Sequence, residues 1–331
     1  MLEIGSTRIK PGERKQININ VARLYDFTEM NIPVEVIRGK EQGPRLFVSA
    51  ATHGDEINGV EIIKRLLKHR ALKKIKGTLI AVPIVNVFGY NTKSRYLPDR
   101  RDLNRHFPGS INGSLAEQLA HTFMSEIVLQ CTHGIDLHTG AIHRSNLPQI
   151  RADLDDPQTN ELAHNFNVPV MINSRLPDGS LREAAREAKI PILVFEGGEA
   201  LRHDEHVIKS GLTGILTLMN EIGMIAYARG KKAQDEKLFM ALSSTWVRAP
   251  QSGSLRQIRH IGNRVTKGQV LGVISDPFGG NKAEITASCT GIIVGAVTMP
   301  LLNKGDAAFH IASFDNSKQV KEQVDDFLDE I

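Results

Sequence analysis

Arg45-Leu-Phe-Val-Ser-Ala-Ala-Thr-His-Gly-Asp-Glu56 decides how this chain is read. Its first part, Arg45 to Ala51, has the length and apolar content of a strand buried on both faces. It runs without a break into Thr52-His53-Gly54-Asp55-Glu56. In an open α/β sheet the carboxyl ends of the strands form the usual ligand edge, so His53 and Glu56, three apart, emerge where a site is expected. Three further runs have the same texture: Thr78 to Val85, Gly134 to Leu137 and Pro191 to Phe195. Amphipathic segments lie between them. Asn58 to Leu72 carries Val60, Ile63, Leu66 and Leu67 on one helical face, Ser114 with Glu117 and Ser180 with Glu183 have capping-box spacing, and Asp156-Pro157 is a helix start. From Ile32 to about Tyr227 the alternation predicts an α/β fold, with a mostly parallel mixed sheet flanked by helices.

Beyond about Arg229 a charged stretch, Gly-Lys-Lys-Ala-Gln-Asp-Glu-Lys, gives way to Gly-punctuated β-type sequence from Ser244 to Ser313. Turns at Val265 to Gly268 and Leu302 to Asp306 separate short strands there, which predicts a smaller all-β barrel or sandwich ending in a charged amphipathic tail, Asn316 to Ile331. The expected division is a catalytic α/β domain over 1–230 and a β-rich domain over 231–331. The 331 residues, 41% hydrophobic and 24% charged, are enough for one large and one small core, and they exclude disorder as the default. The formal charge, 41 − 37 = +4, is too small an excess to argue for a nucleic-acid partner. Cys131 and Cys289 lie far apart without Cys-x-x-Cys spacing, which suggests neither a disulfide framework nor a cysteine zinc site. With no apolar run of about 18 residues and no hydrophobic leader, neither a membrane partner nor export is indicated, and a cytoplasmic location is expected. A homo-oligomer is compatible with the sequence.

An imidazole and a carboxylate suit zinc, and catalytic zinc sites commonly combine two histidines with one carboxylate. His138, at the end of the strand Gly134 to Leu137, is the candidate third ligand, and Asp136, two residues earlier on the same face, is a polar support for it. The rival pair His203-Asp-Glu-His206 opens an amphipathic segment and reads first as a solvated helix start. His69, His121, His164 and His260 read as ordinary surface residues, while His133 and His143 flank His138. Lys93 to His106 holds five basic and two acidic side chains, a local 5 − 2 = +3. Its interleaved Tyr, Pro and Asn suggest a shaped loop, and arginine forks readily onto a carboxylate, so a carboxylate-bearing substrate is the natural guest. Glu196 leaves the last buried strand beside two glycines and is placed to take a proton from water, whereas Glu199 reads as a surface or helix-initiating residue.

Taken together, His53-Gly-Asp-Glu56, Arg95-Tyr96, Asp102-Leu-Asn104-Arg105, Asp136-Leu-His138 and the strand ending at Glu196 resemble the succinylglutamate desuccinylase/aspartoacylase family of zinc-dependent deacylases. That family is a branch of the zinc carboxypeptidase-like fold, and the match runs by motif from about Leu46 to Glu199. The resemblance implies one zinc ion per chain held by His53, Glu56 and His138, with Glu196 as general base and then general acid. It also implies that Asn104 and Arg105 grip a substrate carboxylate and that Arg95 polarises the scissile carbonyl of a small amide. The interval from Arg95 to Asn104 is longer than in aspartoacylase proper and contains Arg100 and Arg101, so which of the three arginines meets the carbonyl stays open. Arg144 and Arg151 are candidates for choosing the acyl group. Ala287-Ser-Cys-Thr-Gly291-Ile-Ile-Val294 is similar to the barrel-sandwich hybrid of lipoyl and biotinyl domains. Lys282 lacks the flanking pattern of a carrier lysine, and in this family such a domain is expected to roof the site. The nearest rival is a zinc carboxypeptidase acting on peptides or cell-wall fragments. A catalytically silent binding protein is the reading of another class, and the intact ligand set with Glu196 argues against it.

Overall fold

The computed structural model describes residues 2–166, 168–174, 176–227 and 239–330. The boundary expected at 230/231 and the charged stretch 230–237 that marks it lie outside the described residues. The strands are β1 Leu2–Ile4, β2 Thr7–Ile9, β3 Arg14–Arg23, β4 Glu29–Arg38, β5 Arg45–Ala50, β6 Thr78–Val82, β7 His133–Gly140, β8 Arg144–Ala152, β9 Val170–Asn173 and β10 Ile192–Glu199. They continue with β11 Phe239–Ala241, β12 Ser243–Arg248, β13 Gly253–Gln257, β14 Arg264–Val265, β15 Val270–Ser275, β16 Lys282–Thr286, β17 Gly291–Val297, β18 Leu301–Leu302 and β19 Ala307–Ser313. The helices are α1 Asn58–Leu66, α2 Val87–Thr92, α3 Leu115–Glu126, α4 Pro157–Phe166, α5 Leu181–Glu187, α6 Glu205–Glu221 and α7 Ser317–Glu330.

One large mixed sheet runs in the order β12-β19-β17-β8-β10-β7-β5-β6-β4-β3. Its centre, β10-β7-β5-β6, is parallel, while β4, β8 and the strands outside them join antiparallel. Side chains of β5 alternate between two cores, Phe47 on the face covered by α3 and α5, Leu46, Val48 and Ala50 on the face covered by α1, α4 and α6. A strand covered on both faces must be apolar throughout, which is why its run stands out in the sequence. The expected α/β class, with its mixed sheet and all-β C-terminal part, is the observed one. Strand β6 stops at Val82 rather than Val85 because Pro83 has no N–H to give the ladder. The helix expected over Asn58 to Leu72 ends at Leu66, and a separate 3₁₀ turn, Arg70–Lys74, follows, opened by His69 whose ring nitrogen accepts from the Ala71 N–H.

The C-terminal strands do not stand apart. β17 pairs with β8, β19 and β12 continue from it, and β14 and β11 join at β17 and β9, so the C-terminal part extends the same sheet. A second sheet, β16-β15-β13-β18, packs on them around Leu255, Leu271, Ile274, Ile293 and Phe309. The tail is a helix, α7, whose Val320 and Val324 are buried against Ile292 and Val294.

Two glycines let the loop after β5 seat tightly. A Cβ on Gly54 would fall 2.0 Å from the Gly89 carbonyl carbon, and one on Gly59 would fall 2.7 Å from the Cβ atoms of both Ala50 and Leu137. The start of α1 therefore rests directly on β5 and β7, which fixes the height of Glu56 above the sheet. Gly59→Ala is expected to lower stability by about 1–3 kcal/mol through overpacking, although alanine is the better helix former by about 1 kcal/mol. A denaturation midpoint at or above that of the parent chain would show that the close approach is not a constraint.

Candidate active site

Just past β5, Ala51 adopts a left-handed backbone with φ 51°, which turns the chain out of the strand before Thr52 and His53. The loop then brings Glu56, 1% exposed, beneath two imidazoles. Glu56 Oε1 lies 2.8 Å from His53 Nδ1, and Glu56 Oε2 lies 2.7 Å from His138 Nδ1 and accepts from the Thr139 N–H at 3.1 Å. The outer nitrogens are held as well. His53 Nε2 is 3.1 Å from Asp102 Oδ1, and His138 Nε2 is 2.7 Å from Asp136 Oδ2. Asp136 in turn accepts from the hydroxyls of Ser49 at 2.7 Å and Thr52 at 3.1 Å, all three side chains being buried.

His53, Glu56 and His138 form a group whose ligand atoms lie within 4.8 Å of one another, a spacing that can hold a metal ion. The donor set fits zinc: two neutral-capable imidazoles and a carboxylate, converging in a buried place, with a carboxylate behind each imidazole to fix its ring. Burial would push Glu56 up, but the flanking imidazoles, His53 and His138, outweigh it and hold the carboxyl well below the usual range. Burial opposes the charged form of His138 and His53, yet Asp136 and Glu56 raise the first, and Glu56 and Asp102 raise the second.

All seven candidate site residues line one cavity of about 280 Å³: His53, Glu56, Arg95, Asn104, Arg105, His138 and Glu196. Arg95 reaches Glu56 at 3.2 Å and Asp102 at 3.0 Å, whereas Arg100 is exposed and Arg101 is exposed and paired with Asp99. Asp102 thus ties the His53 ring to the arginine-rich loop. Asn104 Oδ1 accepts from the Leu181 N–H at 2.9 Å, at the start of α5, which directs its amide NH₂ elsewhere. Arg105 donates to the Asn104 carbonyl. Glu196 of β10 is the register partner of His138 of β7, so the two stand one strand spacing apart on one face. Glu196 Oε2 accepts from Gln149 and from Arg151, each at 3.2 Å, leaving Oε1 without a protein partner among the described residues.

His203 and His206 are exposed at the N-terminus of α6, capped by Asp204, as their sequence suggests. His133 and His143 are outside the cavity lining, and Glu199 accepts from the His143 N–H at the turn before β8. The cavity also holds Arg182, Ser174, Pro177, Asn146 and Trp246, none of which the sequence singled out. Arg182 follows a helix-capping serine and has the local look of a solvated first-turn residue. Burial, with Arg151 nearby, pushes it down to about 10. A larger cavity of about 1050 Å³, rimmed by Arg38, Lys40, Lys68, Lys73 and Lys74 at the other end of the sheet, contains none of these groups.

Residues 42–222 match the family model of the succinylglutamate desuccinylase/aspartoacylase catalytic domain. The chain is 28% identical over 296 residues to an N-alpha-acetyl-L-2,4-diaminobutyric acid deacetylase of Halomonas elongata, covering 85% of each protein. It is 30% identical over 158 residues to a succinylglutamate desuccinylase of Pseudomonas putida, a match that spans 45% of this chain and 46% of that one. Two solved structures have the same fold. One is the product-bound ectoine utilization protein EutE (DoeB) of Ruegeria pomeroyi, with TM-score 0.83 at 21% identity over 93% of this chain and 98% of that one. The other is a succinylglutamate desuccinylase/aspartoacylase of Rhodobacter sphaeroides, with TM-score 0.82 at 23% identity over 92% and 97%.

Asp136→Asn keeps the size of the side chain but puts an NH₂ group where His138, Ser49 and Thr52 require an acceptor. It is expected to weaken divalent-metal affinity by about 10- to 100-fold, measured by competition with a chromophoric chelator. Unchanged affinity would detach Asp136 from the metal-holding role of the group.

Proposed function

This chain belongs to the succinylglutamate desuccinylase/aspartoacylase family, and from that membership we propose that it is a zinc-dependent amidohydrolase removing the acyl group from a small N-acylated amino acid or related carboxylate. The observation that carries the reading is that one cavity of about 280 Å³ gathers the His53, Glu56 and His138 group, Glu196, and the Asn104 and Arg105 pair. Deacylase is also the named activity of the relatives from Halomonas elongata and Pseudomonas putida. The cavity is at the small end of ligand sites, which run from about 300 to 1,000 Å³, and so favours a small acyl amino acid over a peptide.

His53, Glu56 and His138 would hold one zinc ion, which when bound supplies a Lewis acid that acidifies water toward a pKa of about 7 and polarises a carbonyl. The protein's own groups carry the rest. Glu196, with Oε2 anchored by Gln149 and Arg151, presents Oε1 to take the proton of the attacking water and return it to the departing amine. Arg95, braced by Asp102, donates to the oxygen of the scissile carbonyl as negative charge develops there. The amide NH₂ of Asn104 and the guanidinium of Arg105 hold the amino-acid carboxylate, so that the amide enters in register with Glu196. The products are a carboxylic acid and a free amine. We assign the chemistry to a catalytic unit over 1–230 with the β-rich part over 231–331 beside it, and we place the enzyme in the reducing cytoplasm on its free Cys131 and Cys289.

The test is a hydrolysis screen of N-acylated amino acids with zinc-loaded protein, in parallel with Glu196→Gln. The variant should keep its metal content and lose at least about 100-fold in kcat, the share general acid–base catalysis typically supplies. Turnover like that of the parent would remove Glu196 from the mechanism. Failure across the panel together with release of C-terminal residues from peptides would replace the deacylase reading by the carboxypeptidase one.

A further inference from the structure

At the edge of the sheet opposite the catalytic cavity, where β5 and β6 begin, lies the cavity of about 1050 Å³ that the proposed reaction leaves idle. Four separate segments wall it: the turn before β3, the loop after β4, the stretch from Leu67 to Lys76, and the turn after α6. Backbone hydrogen bonds stitch them to one another. The Gly12 N–H donates to the Arg38 carbonyl at 2.9 Å, the Gly39 N–H to that of Gly77 at 2.8 Å, and the Lys76 N–H to that of Met224 at 2.8 Å. Gly39 is seated so closely that a Cβ there would fall 2.1 Å from the Ile75 carbonyl oxygen. The cavity is therefore built into the fold. Its floor is apolar, with Ile37, Leu72, Ile75 and Met224 all buried.

The rim is strongly basic. Seven Lys or Arg against two Glu line the cavity, a local 7 − 2 = +5 beside a formal +4 for the whole chain. Three of the seven are committed: Arg14 to Glu35 and the Leu67 carbonyl, Arg38 to the Ile9 carbonyl, and Lys76 to Glu41. The other four are not. The ammonium groups of Lys40, Lys68, Lys73 and Lys74 make no hydrogen bond or ion pair among the described residues. The negative end of a helix is the ordinary reason for such lysines, and it accounts for Lys68 after α1 and for Lys73 and Lys74 in the last turn of the 3₁₀ segment. It does not account for Lys40, which comes from the loop after β4, nor for the apolar floor that all four share. His69 adds a neutral donor: its Nδ1 accepts the Ala71 N–H, which leaves the proton on Nε2, and burial with Arg70 nearby holds the ring below its usual pKa.

Like charges gathered around one hollow repel, and a multiply charged anion among them turns that repulsion into attraction. Lysine meets anions as a point charge and is a usual phosphate binder, whereas a planar carboxylate is better matched by arginine. The volume is at the upper end of ligand sites, more than a phosphate alone fills, and the floor suits an organic group. We propose that this cavity is a second ligand site, for a nucleotide-type anion whose organic part lies on the apolar floor and whose two or more phosphates meet Lys40, Lys68, Lys73 and Lys74. The inference stands apart from the deacylase reading, because the two cavities share no lining residue among those described.

Isothermal titration calorimetry of the zinc-loaded chain tests it, with ATP given as its magnesium complex so that it does not draw zinc from the protein. One ATP per chain should bind, at least about tenfold tighter than magnesium tripolyphosphate, because only the nucleoside can cover the floor. Lys73→Gln/Lys74→Gln should weaken ATP at least about tenfold, as expected for losing charge-assisted hydrogen bonds, with its denaturation midpoint unchanged. Arg105→Gln, in the other cavity, should keep the parent affinity for ATP. No saturable heat with ATP would overturn the proposal. So would tripolyphosphate binding as tightly as ATP, which reduces the site to a charged patch, or ATP affinity lost in Arg105→Gln and kept in the lysine variant, which moves the nucleotide into the catalytic cavity.

Discussion

Everything at this site depends on one buried carboxylate shared by two imidazoles. Glu56 is almost completely removed from water, and an ionised carboxylate in that position is costly unless charge and hydrogen bonds surround it. Here they do: His53, His138, Arg95 and the Thr139 N–H all reach its two oxygens. The partners come from three places in the chain, so the carboxylate can be buried only when β5, β7 and the loop before Asp102 are correctly stacked. The close seating of Gly59 on Ala50 and Leu137 sets its height, and Asp102 and Asp136 set the angle of the two rings. The metal-binding geometry is in this sense a consequence of the fold's tightest packing.

Around that centre the electrostatics run one way. Five arginines line the cavity, Arg95, Arg105, Arg144, Arg151 and Arg182, against the carboxylates of Glu56 and Glu196. Three are restrained by specific partners: Arg95 by Glu56 and Asp102, Arg151 by Glu196, and Arg105 by the Asn104 carbonyl. Arg182 is desolvated and donates to the Ser174 carbonyl. A small cleft with this balance concentrates a positive potential where field lines are least screened, and it draws an anionic guest before any specific contact forms. The global +4 carries little of that information; its placement carries most.

The central parallel strands were legible because burial on both faces forces an unbroken apolar run, and the residues at their ends were legible because strand ends in such sheets are where ligands meet the fold. His53, Glu56, His138 and Glu196 were visible for that reason, and Arg95, Asn104 and Arg105 by their motif. The edges of the sheet were harder. In β3 only alternate positions such as Ile17 and Ile19 are buried, so the strand reads as a mixed polar stretch. The tail Asn316 to Ile331 was legible as charged and amphipathic, and its apolar face is the pair Val320 and Val324, at helical spacing, that docks it as α7. Arg182 and Trp246 could not be found locally: Arg182 sits in an ordinary first helical turn and is buried only by the fold around it, and Trp246 meets the cavity through Arg144 and His310, each more than fifty residues away in sequence.

That last point bears on how the two parts of the chain cooperate. A separate roof over the cleft would leave its wall free to drift relative to the metal-holding group. Here the wall is hydrogen-bonded into the same sheet as the floor. Starting from Glu196 on β10, the ladder passes to β8, which carries Arg144 and Asn146, then to β17 and β19, which carries His310, and ends on β12 with Trp246. Side chains that pair in register across such a ladder keep fixed separations, because sliding one strand by a single residue would turn every inward side chain outward. The distance between Glu196 and Trp246 is therefore set by backbone pairing rather than by the closure of a hinge. Selectivity can then change by substitution on the outer strands without disturbing the geometry of the group around Glu56.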